Sequence, residues 1–192
     1  VCCNLINALG TKTNIVMGHS MGGMIAQRAY DYLPERIHGL VLSATSAAFG
    51  GRGGDWQEKF VSDRVAPLDT GLTIPQYAPK MLQKMMNPDA EGSAVELVLQ
   101  VVSRMREETF RAAIEAITHF EGRDILPKMN IPVLCIAGAL DLTAAPPLVM
   151  EKMANKITNA EYQCMSNVGH FGWAENPQEF NQLVIDFIQR KF

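Results

Sequence analysis

Asn14 to Leu33, reading NIVMGHSMGGMIAQRAYDYL, constrains the fold more than any other stretch of the chain. It passes from a short apolar run that reads as a strand, through Gly18-His19-Ser20-Met21-Gly22, into an amphipathic helical pattern that stops before Pro34. A strand that turns at once into a helix forces its middle residue into strained dihedrals. The G-x-S-x-G spacing places Gly18 and Gly22 where a Cβ is expected to collide with neighbouring backbone. Ser20 is expected at the tip with its Oγ exposed. The helix N-terminus behind it offers unpaired N–H groups, that of Met21 first, to negative charge developing on an oxygen. His19 is expected on the wall of the adjoining pocket. The simpler alternative is a Gly-Ser turn in which Ser20 is an N-cap.

The chain has 192 residues, 47% of them hydrophobic, enough for a single core without disulfides. Its net charge of -3 gives no basic footprint for nucleic acid. No apolar run approaches the roughly 20 residues of a membrane span, and no signal peptide is visible. Cys2 and Cys3 are adjacent, and Cys135 and Cys164 each lie in a strand-like run, so the cysteines do not form a disulfide framework. Free thiols suit a reducing compartment, and the expected location is cytoplasmic. There is no His pair at i, i+4 and no Cys-x-x-Cys, so no metal and no cofactor is expected.

Elsewhere, Cys3 to Leu9 reads as the end of a helix with Leu5, Ile6 and Leu9 on one face. Gly39 to Ser43 (GLVLS), Pro132 to Ala137 (PVLCIA) and Ala160 to Met165 read as buried strands. Between them the strand signal stops. Gly50 to Gly54 reads as a flexible loop rather than a phosphate cradle. Helical periodicity then appears over Ile74–Met86, interrupted by Pro79, over Ala94–Met105, and over Phe110–Phe120. This predicts a core part over 1–48, a helical cap over 49–122, with Met81, Met85, Met86 and Met105 as potential pocket lining, and a second core part over 123–192. A last helix starts near Asn176-Pro177, with Phe180, Leu183, Val184, Phe187 and Ile188 as its buried stripe.

Alternating strands and helices predict a mostly parallel sheet, whose sites form at the carboxyl ends of the strands. Ser20, Asp141 and His170 all fall there. A serine hydroxyl needs a base to attack at neutral pH, and a histidine held by a carboxylate supplies one. No Asp or Glu occurs from Gly39 to Gly54, which favours Asp141 as the acid over a carboxylate after the second strand. Asp124 and Glu175 are weaker candidates. Arg52, Arg104, Arg106 and Arg111 are possible carboxylate contacts, although surface roles fit each as well.

GHSMGGMIAQ, PVLCIAGALD and NVGHFGWAENPQEF, with the helices between, resemble the α/β-hydrolase fold superfamily. The nearest group is that of 3-oxoadipate enol-lactonases, small esterases and C–C bond hydrolases. The resemblance implies Ser20 as nucleophile, Asp141 as acid and His170 as base; Trp173, with His19, is a candidate substrate contact. It implies hydrolysis of a small ester or lactone; C–C bond hydrolysis, a non-catalytic ligand receptor and an inactive fragment are the alternatives. Members of the superfamily begin with further strands and a loop that supplies a second oxyanion donor. Since Val1 opens directly in a helical pattern, an N-terminally truncated fold is expected. A small-molecule substrate is the expected partner, with no nucleic acid or membrane.

Overall fold

The computed structural model describes residues 2–49 and 55–192. Strands β1 (Ile15–His19), β2 (Gly39–Ser43), β3 (Val133–Gly138) and β4 (Ala160–Met165) pair in parallel, in chain order. Every residue of β2 and β3 is buried, because helices cover both faces of the sheet. The period-two alternation of a strand divides these residues between two layers. Leu40, Leu42, Val133, Cys135 and Ala137 meet α2 (Met21–Tyr32) and α7 (Pro147–Ala154). Val41, Leu134 and Ile136 meet Phe180 and Phe187 of α9 (Pro177–Lys191) on the other face.

The helix α1 (Cys2–Leu9) corrects one expectation. Leu5 and Leu9, which the sequence places on the buried face, are 58% and 60% exposed. The stripe that packs is Cys2, Cys3 and Ile6, at i, i+1 and i+4, lying on the layer that contains α2.

Between β2 and β3 the described chain folds into α3 (Trp56–Asp69), α4 (Ile74–Gln83), α5 (Ser93–Ser103) and α6 (Glu107–Thr118). Leu68, Ile74, Ala78, Val102, Phe110 and Ile114 form their shared core, with Met105 against it. The Gly50–Gly54 stretch, including Arg52, lies outside the described residues. The two ends of the insert meet beside β2: Gly122 N donates to Ala47 O (2.7 Å), and Ala48 bridges Glu121 in antiparallel fashion. No described helix is long and apolar enough to cross a membrane.

Candidate active site

The elbow forms as its spacing requires, but with a different division of labour between the glycines. Ser20 sits at φ 52°, ψ −121°, a region that L-residues avoid, and its side chain makes no cap hydrogen bond to α2. It stands at the N-cap position of α2, but its hydroxyl does not do the capping that the simpler alternative requires. Gly18 has no room for a Cβ, which would strike the Gly22 carbonyl and come within 2.7 Å of Gly23 Cα. Gly22, expected to be constrained in the same way, has open space at its Cβ position. The second close approach is made by Gly23, whose Cβ would lie 2.6 Å from Thr45 Cβ. The turn is pinned to the end of β2: Ser20 N donates to Ser43 O (2.9 Å), and Thr45 Oγ1 donates to Ser20 O (2.7 Å). Ser20 Oγ and the Met21 N–H make no hydrogen bond among the described residues, which leaves the Met21 amide available at the start of α2.

Asp141 and His170 follow the ends of β3 and β4. Their loops are tied together where the sheet ends, by Ala139 N donating to Met165 O and Leu140 N to Val168 O (both 2.9 Å). His170 Nδ1 donates to Asp141 Oδ2 at 2.6 Å, with the residues 2% and 0% exposed. Burial by itself would push the Asp141 carboxyl up. The hydrogen bond and charge of His170, with the N–H groups of Ala144 and Ala145, outweigh it and hold the carboxyl below its ordinary value. This bond fixes the imidazole's orientation and leaves Nε2 for other work.

The weaker acid candidates are elsewhere. Asp124 is exposed beside Lys128. Glu175, in the short helix α8 (Gly172–Glu175), holds the backbone around His170 rather than its ring. Its Oε2 accepts from Gly169 N (2.8 Å) and Asn87 N (2.7 Å), and its Oε1 accepts from Phe171 N (2.8 Å). His170 N donates to Met85 O (2.8 Å). These bonds lace the chain after α4 to the histidine loop and explain why α4 stops at Gln83, short of the Met86 that its periodicity predicts.

Ser20 and His170 open into a common cavity of ≈ 190 Å³. Its floor is His19, Met24, Ala44, Thr45 and Phe171. Its roof comes from the insert: Phe49, Phe60, Arg64, Met81, Leu82, Met85, Ile114 and Ile117. Met81 and Met85 reach it as expected, whereas Met86 packs with Val95 and Phe171 beside α5, and Met105 lies in the core of the insert. His19 is on the wall, its Nδ1 3.3 Å from Ser43 Oγ and its ring 4.9 Å from that of His170. Burial first, and then the neighbouring His170, bring its pKa down to about 3, so it is neutral where His170 would act. Trp173 corrects another expectation. It does not line the cavity but packs behind it, edge-on to His19 and Phe171. On this loop the aromatic side chain that faces the cavity is Phe171, two residues earlier.

Arg64 was not singled out by the sequence. It lies one helical turn after Phe60 on α3, a helix whose mixed polar and apolar pattern, with Pro67 near its end, gives no clear stripe. Arg104, Arg106 and Arg111 do not line the cavity. Arg106 pairs with Glu108, and Arg111 with Asp69 and Glu107. Among the described residues, no three His, Cys, Asp or Glu side chains are grouped as a metal site would need.

Parallel strands that deliver a turn serine, an aspartate and a histidine from their carboxyl ends define the class as the α/β-hydrolase fold. Residues 1–183 match the family described as the Alpha/beta hydrolase family, and the chain belongs to it. A pimeloyl-[acyl-carrier protein] methyl ester esterase of Neisseria meningitidis serogroup B is 22% identical over 179 residues, covering 91% of this chain and 68% of the relative. Among solved structures, a hydrolase from Pseudomonas aeruginosa PA01 superimposes with a TM-score of 0.83 at 25% identity, over 97% of this chain and 69% of that one. The enol-lactonase from Burkholderia xenovorans LB400 gives 0.79 at 25% identity, over 96% and 69%.

Proposed function

We propose that the protein hydrolyses a small ester or lactone through an acyl-enzyme on Ser20. The observation that carries this reading is the buried Asp141–His170 hydrogen bond, whose histidine lines the same small cavity as the strained Ser20. His170 in its neutral form takes the proton of Ser20 Oγ as that oxygen attacks the carbonyl carbon, then returns it to the departing alcohol oxygen. Water, deprotonated by the same imidazole, releases the acid and restores Ser20. Asp141 orients the ring and stabilises its protonated form. The Met21 N–H donates to the tetrahedral oxyanion, aided by the N-terminal dipole of α2.

The cavity size supports a small acyl group: a cavity of about 150 Å³ holds benzene, and this one is ≈ 190 Å³. Names among the relatives and neighbours, a methyl ester esterase and an enol-lactonase, agree with an ester or lactone carbonyl. The described free cysteines suit a reducing compartment, for which we propose the cytoplasm.

A fluorophosphonate probe tests the assignment. A stoichiometric adduct on Ser20 by mass spectrometry is expected, together with loss of nearly all ester turnover in Ser20→Ala. Full turnover in that variant would overturn the mechanism.

A further inference from the structure

We propose that Arg64 makes the cavity selective for substrates bearing a carboxylate a few carbons from the scissile ester, which the guanidinium binds while Ser20 attacks the carbonyl. This rests on the ester and lactone reading above and adds the class of acyl group.

Three observations carry it. Arg64 is half-buried and lines the cavity shared by Ser20 and His170, where the neighbouring roof residues Phe60, Met81 and Ile114 are apolar. Its guanidinium carbon lies over the Phe60 ring, 3.3 Å from the centroid, a cation–π contact that holds the group at the cavity. It has no ion pair among the described residues. Of its five N–H donors, the one hydrogen bond made is from Nη1 to Phe60 O at 3.5 Å, the outer limit of such a bond. Tyr77 and Asp63 lie near enough to favour its charge but form no hydrogen bond or ion pair with it; Asp63 is paired with Lys59, and the insert's Arg106 and Arg111 have carboxylate partners on the surface.

A half-buried cation beside apolar walls is costly to leave unpaired, and a planar fork matches a carboxylate through two parallel hydrogen bonds. A ligand carboxylate supplies the partner that the chain does not. The small volume of the cavity sets the spacing, because a group reaching from Ser20 to Arg64 has room for only a short carbon chain.

The test compares monomethyl glutarate with the methyl ester of glutaramic acid, in which a neutral amide replaces the carboxylate. Wild type is expected to favour the anionic ester in kcat/KM by on the order of tenfold to a hundredfold. In Arg64→Met that preference should collapse to about unity, with Arg64→Lys between the two, since it keeps the charge but loses the fork. The ratio requires no assumption about absolute activity. A preference in Arg64→Met within about twofold of wild type overturns the proposal, as does a wild type without preference. If neither ester is hydrolysed and Ser20 takes no fluorophosphonate, the ester reading fails by itself. Arg64 is then judged by calorimetry with glutarate: binding by wild type that Arg64→Met loses supports the carboxylate site, and equal binding or none overturns it.

Discussion

The Glu175 carboxylate brackets His170 without touching its ring, accepting from the amide before it, Gly169 N, and the amide after it, Phe171 N, both at 2.8 Å. Asp141 sets the imidazole; Glu175 sets the backbone from which it hangs. Glu175→Gln replaces one acceptor oxygen by a donor and leaves at least one amide without its partner. Urea unfolding should register a loss of about 1–3 kcal/mol. Turnover should fall through kcat more than KM, because a displaced base is felt chiefly in the transition state. A variant with the wild-type midpoint and wild-type kcat would show the bracket to be idle.

Gly18 and Gly22 are equivalent in the motif and opposite in space. Gly18→Ala drives a methyl into the Gly22 carbonyl, backbone against backbone, at a cost of about 3 kcal/mol or more. Gly22→Ala meets nothing within 4 Å and replaces a glycine in the first turn of α2. It should leave stability unchanged or raise it by about 0.5–1 kcal/mol. Denaturant midpoints of the two variants are the check, and equal destabilisation would contradict it.

Ser20 is held at a positive φ, which costs a non-glycine residue about 1–3 kcal/mol. Ser20→Gly and Ser20→Ala should both lack turnover, but the glycine variant should be the more stable by about 1 kcal/mol, after its greater unfolded-state freedom is deducted. An alanine variant at least as stable as the glycine one would mean that the turn is not strained.

His19 gives stability a pH dependence. Its pKa falls from the ordinary 6.5 to about 3 in the folded protein, through burial first and then His170. Below pH 6.5 the unfolded chain binds a proton that the native state refuses until about pH 3. The contribution is therefore complete above 6.5 and is lost as pH falls, by up to about 1.4 kcal/mol per pH unit. Asp141 has the same sign in a lower window. Its carboxyl is held below the ordinary 3.8, so its contribution is present above that value and disappears as pH drops through the folded one. Urea midpoints at pH 7.5 and 5 should separate more widely in wild type than in His19→Asn. Parallel shifts in both would refute a buried, neutral His19.

The parallel order of the strands and the positions of Ser20, Asp141 and His170 were legible because both depend on local pattern. Apolar runs of strand length alternate with helical periodicity, and a polar residue follows the end of three runs. What escaped the sequence depends on contacts between distant segments. Periodicity placed Leu5 and Leu9 on the packed face of α1, but the position of the neighbouring layer selected Cys2, Cys3 and Ile6. Gly22 and Gly23 are indistinguishable on paper, and only the approach of Thr45 tells them apart. Arg64 gives no signal, because nothing local marks which face of α3 roofs the cavity. That Phe171 rather than Trp173 faces the cavity escaped for the same reason.

The insert leaves and rejoins the sheet through one stalk, with Gly122 N on Ala47 O and Ala48 paired to Glu121. A module rooted this way can be exchanged for another, of different length and lining, without disturbing the strand ends that carry the reacting side chains. One obligation travels with any replacement. The carbonyl of Met85 and the backbone and side-chain amides of Asn87 are docked on the histidine loop, so a foreign roof must offer one acceptor and two donors at that seam. A graft that honours the stalk and ignores the seam would inherit the nucleophile intact and unsettle the base.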